Sequence, residues 1–341
     1  MGDRQAVDKT GFSSALLGWY DRHARGLPWR VPPGEPRRAD PYHVLVSEVM
    51  LQQTTVAVVK TRYEAFLAQF PDIAALARAP QSAVMEAWAG LGYYRRARAL
   101  HACAVAIEEQ HGGVFPQTEK ELKALPGIGD YTGAAIAAIA FGERAVVVDG
   151  NIERIVARLF EVLEPLPKAR KVIRELTGRL TSHERPGDFA QAMMDLGAGI
   201  CRPKAPDCLL CPVRAFCEAA ASGTQERYPA KMPKKAKVVA EGVILVATDR
   251  DGRVRCERRG AEGLLAGTLG LPGGGWDGSP VPDLPEGAEL AGEIEHVLTH
   301  RRLKIKVYRA RAVGAGAAPL PPAEARSAMP SLFRKALDAA L

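Results

Sequence analysis

No apolar run in the 341 residues reaches the roughly 20 needed to cross a bilayer as a helix. The opening MGDRQAVDKT has no apolar core and carries an acid on each side of its polar run, so it does not read as a secretory signal. The compartment expected is cytoplasmic. Cysteine is scarce: there are six, and four fall between Cys201 and Cys217. A secreted disulfide scaffold would spread its cysteines along a small chain, so that class is excluded. There is no acidic excess. The formal net charge is +7, a balance compatible with a polyanionic partner. No internal repeat stands out, and low complexity is confined to short Ala- or Pro-rich patches. Hydrophobic residues are 47% of the chain, enough for real cores. The length suits two ordinary domains or three small ones.

The chain is organised around Leu125 to Asn151. A tight turn, Pro126-Gly127-Ile128-Gly129, opens into an Ala/Ile-rich helix, and the stretch closes on a lone acid, Asp149. Glycines allow positive φ and leave N–H groups free at the next helix start, where a phosphate can sit. A dinucleotide-binding loop also uses glycines at a helix start, but this stretch lacks the preceding strand and the G-x-G-x-x-G spacing. Two glycines alone would fit an ordinary helix–helix turn.

Upstream, helical spacing covers 12–23, and Asp40-Pro41 reads as a helix start. Val44, Leu45, Val49 and Leu51 are core-like, with Glu48 among them. Periodicity alone places Glu48 on the solvent face. The functional alternative is a partly buried general acid with a raised pKa. Trp29 reads as core or pocket wall, and Gln52-Gln53 as surface. Helices are expected at 56–69, 72–78 and 81–88. Gly90 to Arg98 then joins small residues, two tyrosines and three arginines, a mix suited to a nucleic-acid backbone or to a plain helix start. Helices at 151–160 and 168–182 follow, and another from Asp188. Met193 and Met194 read as packing, and Asp195 as facing solvent or the pocket.

Cys201-x6-Cys208-x2-Cys211-x5-Cys217 has the spacing of a metal site, and four thiolates suit either zinc or an iron–sulfur cube. Residues 222–237 form a basic, Pro-bearing linker. Beyond Val238 the pattern turns to strands at 239–247, 253–258, 293–298 and 303–310, closed by a helix over 322–340. Three units result: 1–221, the linker 222–237, and an α/β domain over 238–341.

These motifs together resemble the adenine DNA glycosylases of the MutY type, within the helix-hairpin-helix (HhH-GPD) superfamily. The matching stretches are LPWR (27–30), SEVMLQQT (47–54), GLGYYRRAR (90–98), LPGIGDYTG (125–133), VDGN (148–151), QAMMDLGA (191–198) and the four-cysteine spacing. The resemblance implies an all-α helix-hairpin-helix glycosylase domain with an iron–sulfur cluster loop, followed by an α/β Nudix-like domain. It implies a partner, double-stranded DNA carrying adenine opposite 8-oxoguanine or guanine, acted on by a monomer. It makes Glu48 the acid that protonates adenine, Asp149 the acid that stabilises or captures the sugar cation, and Asn151 the residue that orients the catalytic water and acid. Tyr131 stands where lyase-active relatives carry lysine, is expected to bond near Asp149, and implies a monofunctional enzyme. Gln53 and Tyr93 would intrude at the lesion, and Trp29 and Arg30 would line the adenine pocket. Gly127 and Gly129 would grip phosphate, helped by a monovalent cation. Cys201, Cys208, Cys211 and Cys217 would hold a [4Fe–4S] cluster. Leu298, Thr299 and His300 match the patch that reads 8-oxoguanine, with Leu298 departing from the family's Phe. No intact Nudix hydrolase motif is present. The rival readings are an endonuclease III-like pyrimidine glycosylase with lyase activity, a catalytically silent DNA binder with a structural metal, and a zinc module mediating protein contacts.

Overall fold

The structure, a computed structural model, describes residues 9–232, 236–260, 263–298, 300–311 and 319–341. The chain divides into two compact units. One is Met1–Ala77 with Ala102–Pro233, and the other is Arg78–His101 with Lys234–Leu341. The second therefore includes a segment, 78–101, that the sequence reading assigns to the helical domain.

The first unit is helical. Its helices include Phe12–His23, Pro41–Leu51, Val56–Gln69, Gly150–Leu159, Arg170–Leu180 and Pro186–Gly199. Local chemistry sets their starts. Asp40 accepts from the backbone N–H of Tyr42 (2.7 Å) and His43 (3.4 Å), with Pro41 in the first turn. Thr118 and Glu121 form a capping box on the short helix Glu119–Leu122. The hairpin then runs through Gly127, whose φ of 77° suits glycine, into the helix Asp130–Ile136. The Ala-rich run continues as a π-helical turn, Ala137–Phe141, which the residue pattern does not announce.

The second unit carries a four-stranded sheet in the order β4-β1-β6-β5. Here β1 is Val238–Thr248, β4 is Gly273–Gly274, β5 is Glu289–Val297 and β6 is Arg301–Arg311. The short strands β2 (Glu257–Arg258) and β3 (Leu269–Gly270) pair separately. β1 and β6 run parallel, and β5 and β6 antiparallel. Ile244, Val246, Leu303, Ile305 and Val307 form a core with Leu332, Phe333 and Leu337 of the last helix. The helix expected over 322–340 is two, Pro322–Ala328 and Ser331–Ala340, because Pro330 cannot continue the first. Among the described residues, no helix is long and apolar enough to cross a membrane.

The iron–sulfur loop of the expected fold class is a correction. Among the described residues, no group of three or more His, Cys, Asp or Glu side chains is placed to hold a metal ion. The six cysteines are free thiols. The Cys201 sulfur accepts a hydrogen bond from Nη1 of buried Arg158 (3.2 Å), and the Cys217 thiol donates to the Arg158 carbonyl (3.5 Å). Burial pushes the Cys211 thiol up to about 12. The segment is tied down by Arg158, which donates to the carbonyls of Arg202 (2.8 Å), Pro203 (3.2 Å) and Gln225 (2.8 Å). Neither a [4Fe–4S] cluster nor zinc fits these residues as placed.

Candidate active site

Glu48 lies on the helix Pro41–Leu51, where every residue from Val44 to Met50 is buried. A helix covered all round has no polar face, so periodicity misplaces its one acid. Glu48 is 5% exposed, not on a solvent face. The phenol of Tyr131, in the first turn after the hairpin, donates a short hydrogen bond to Glu48 Oε2. The expected partner of Tyr131 was the Asp149 region, so the contact itself differs. Burial raises the Glu48 carboxyl above its usual range, opposed by the Tyr131 hydrogen bond and the Arg30 charge and reinforced by Asp149.

Asp149 is the N-cap of the helix Gly150–Leu159. Its Oδ1 accepts from the backbone N–H of Asn151 (3.0 Å) and Ile152 (2.7 Å), and its Oδ2 from Asn151 Nδ2 (2.8 Å). Burial raises its pKa, and these donors and Arg154 pull it back down. Asn151 is held in turn: Arg154 Nη2 donates to Asn151 Oδ1 (2.9 Å) and to the Gly197 carbonyl (2.8 Å). A Cβ on Gly197 would lie 2.6 Å from the Asn151 Cβ, so the helix Pro186–Gly199 can approach only because position 197 has no side chain.

Glu48, Tyr131, Asp149 and Asn151 all line one pocket of about 870 Å³, with Trp29, Arg30 and Gln53. Trp29 is both core and wall, edge-on to Tyr63 at 5.3 Å. Gln53 adopts a φ of 57°, while Gln52 donates to Thr132 Oγ1 (3.3 Å). Gly127 and Gly129 sit in the turn before Asp130, which lines the same pocket. Gly129 has an extended backbone and an open Cβ position, so only Gly127 needs glycine's freedom. The expected monovalent cation at this hairpin is withdrawn with the cluster, since no ion-holding group of side chains is found among the described residues.

The remaining candidates belong to the second unit. Tyr93 has a φ of 48° and is 52% exposed, with the Arg96 guanidinium over its ring at 5.7 Å. Leu298 packs partly against the sheet core, and His300 is exposed. Thr299 lies outside the described residues.

Two residues of the pocket's support escaped the sequence reading, Arg154 and Gly197. Arg154 stands three residues after Asn151, the helical spacing that brings two side chains together, and that signal was available. The sequence leaves Asp195 to face solvent or the pocket. It does neither, and takes both Arg25 and Arg30.

A buried carboxyl and a half-buried one on one pocket, one bonded to a phenol and the other to a fan of N–H donors, can divide acid and anion roles between them. A helix-hairpin-helix domain with such a pair has the build of a base-excision domain. Residues 46–181 match the HhH-GPD superfamily of base excision DNA repair proteins, and residues 243–339 match the NUDIX domain. The chain is 43% identical over 236 residues to the adenine DNA glycosylase of Homo sapiens, covering 66% of this chain and 42% of that protein. It is 39% identical over 200 residues to the adenine DNA glycosylase of Mycobacterium tuberculosis, covering 58% of this chain and 64% of that protein. Among solved structures, a thermostable thymine-DNA glycosylase aligns with a TM-score of 0.55 at 30% identity, over 63% of this chain and 100% of that one. The chain belongs to the HhH-GPD superfamily and, within it, to the adenine DNA glycosylases. It spans less than half the length of the human relative.

Proposed function

We propose that this protein is a monofunctional adenine DNA glycosylase of base excision repair, acting on adenine opposite 8-oxoguanine or guanine in duplex DNA. The observation that carries the reading is the pairing of buried Glu48, bonded to Tyr131, with Asp149, capped by Asn151, on a single pocket. Glu48 gives its proton to N7 of adenine. The C1'–N9 bond breaks, and its electron pair leaves with the base. Asp149 stabilises the sugar cation and captures C1', and water then displaces it with retention. Asn151 orients Asp149. Tyr131 cannot form a Schiff base, which supports base release without strand cleavage. Trp29 and Arg30 wall the adenine, Gln53 and Tyr93 fill the stack left by the extruded base, and the Gly127 turn takes backbone phosphate. Leu298, Thr299 and His300 read the opposite base. The protein acts as a monomer.

The test is single-turnover base release on duplexes carrying adenine opposite 8-oxoguanine, guanine or thymine, and on one carrying an oxidised pyrimidine. Release is expected to be fast opposite 8-oxoguanine, slower opposite guanine and minimal opposite thymine. Glu48→Gln should lose roughly 10²–10⁴-fold in rate, the usual worth of a general acid, with DNA binding retained. Pyrimidine release without adenine release would move the protein to an endonuclease III-like activity. Tight binding with no release from any duplex would make it a silent binder.

A further inference from the structure

Asp195 carries a buried charge that none of the steps above uses. It lies on the helix Pro186–Gly199, and its side chain is 1% exposed. Its helix neighbours Gln191, Met194 and Ala198 line the pocket. Oδ1 accepts from Arg25 Nε and Arg30 Nη1, each at 2.7 Å, and Oδ2 accepts from the backbone N–H of Arg25 at 2.9 Å. One carboxylate thus fixes both ends of the segment 25–30. The Arg30 side chain is 8% exposed and lines the same pocket as Glu48. Stability alone does not require such a pair, because buried ion pairs often do no better than apolar packing. What the pair does secure is the location of a cation.

We infer that Asp195 is a positioning residue: it holds the Arg30 guanidinium at the pocket wall and so sets the field at Glu48. The inference rests on the proposed glycosylase reading. The other groups facing Glu48 are Tyr131, from the helix after the hairpin, and Asp149, from the cap of Gly150–Leu159. Facing Asp195 and Arg30 is Tyr20, on the helix Phe12–His23; burial pushes its phenol up to about 12, so it stays neutral through the working range. Arg30 opposes the upward push of burial on Glu48. Without Asp195, the guanidinium loses its anchor and that opposition.

The experiment uses full-length wild type, Asp195→Asn, Arg30→Met and the double variant Arg30→Met/Asp195→Met. Single-turnover adenine release is measured from pH 5 to pH 9 with enzyme saturating over an A:8-oxoguanine duplex. Both single variants should move the alkaline limb of the profile upward, and by similar amounts. The double variant should move it no further than Arg30→Met, since residues acting through one contact are not additive. A purely structural role would lower the yield of folded enzyme and leave the limb where it is. An unmoved limb in Asp195→Asn, or a downward one from a guanidinium that stays put uncompensated, overturns the inference. Asp195→Asn leaves a buried cation poorly paired and could fail to fold. Arg30→Met and the double variant have no such cation, and a difference between their limbs would show that Asp195 acts other than through Arg30. Wild type that releases no adenine would overturn the functional reading and this inference with it. Active wild type with unmoved limbs overturns the inference alone.

Discussion

Glu48 is held where a charge is costly, and its stability consequence can be read apart from catalysis. Desolvation raises its folded pKa above the usual carboxyl value, so the folded chain binds the proton more tightly than the unfolded one. The stabilising contribution is therefore full below the unfolded carboxyl pKa of about 4.3, and is lost as pH rises through the higher folded value. Above that window the folded state carries a buried carboxylate. Glu48→Gln keeps an oxygen able to accept from Tyr131 and removes the charge. It should raise Tm at pH 7.5, by roughly 2–4 °C for each kcal/mol recovered. The gain should shrink toward zero near pH 4. Calorimetric scans at the two pH values check this; a lower Tm at pH 7.5 would mean that Glu48 is stabilised there as an anion. Tyr131→Lys probes the same spot by chemistry. An amine beside the sugar should form a Schiff base, giving strand cleavage and a borohydride-trapped DNA adduct. Absence of trapping in folded, DNA-binding protein would place Tyr131 away from the sugar.

The helices Gly150–Leu159 and Pro186–Gly199 meet where one lacks a side chain, and this contact orders the carboxyl pair. An alanine Cβ at position 197 would fall 2.6 Å from Asn151 Cβ and 3.3 Å from its Oδ1, so the Asn151 amide or the helix must shift. Gly197→Ala is expected to destabilise by about 1–3 kcal/mol, as overpacking does. It should also cut adenine release at least tenfold while DNA affinity holds. Gly199→Ala on the same helix meets nothing within 4 Å and serves as the control. Equal rates in the two variants would remove Asn151 from the argument. What could be read from the chain at this scale follows from where each signal resides. Asp40-Pro41 and the hairpin glycine act within a few residues, so their elements were legible. So was the change to strand pattern beyond Val238, although β5 begins earlier than expected, at Glu289, and only Glu257–Arg258 of 253–258 is strand. The burial of Glu48 was not legible, because it depends on what covers the other sides of its helix. Asp195 was open for a related reason: its partners are about 165 and 170 residues away. The cysteine spacing pointed to a metal, yet spacing fixes only order along the chain. In the fold the Cys201 sulfur and the Cys217 thiol are each bonded to Arg158.

At the scale of the whole molecule, the proposed function gives base chemistry and reading of the opposite base to different units, which makes them separable by substitution. The turn between β5 and β6 is pinned on several sides. Leu298 N–H donates to the Arg301 carbonyl (2.8 Å), Val238 N–H to the His300 carbonyl (3.2 Å), and Lys237 Nζ to the Leu298 carbonyl (2.8 Å). Those bonds use backbone acceptors, so the exposed His300 ring is free to change without loosening the turn. His300→Ala should reduce the preference for adenine opposite 8-oxoguanine over adenine opposite guanine. Loss of one hydrogen bond or stacking contact, at about 1–1.5 kcal/mol, predicts roughly a tenfold fall. The loss should appear in the enzyme concentration that gives half-maximal rate. The saturated single-turnover rate should stay within about twofold of wild type, because Glu48, Tyr131, Asp149 and Asn151 lie in the other unit. Leu298→Phe should act in the opposite direction, since its side chain is only partly buried against the sheet core and a larger ring can project from the same place. A fall in the saturated rate of His300→Ala, with the preference between opposite bases unchanged, would join the turn to the chemistry and defeat the division of labour.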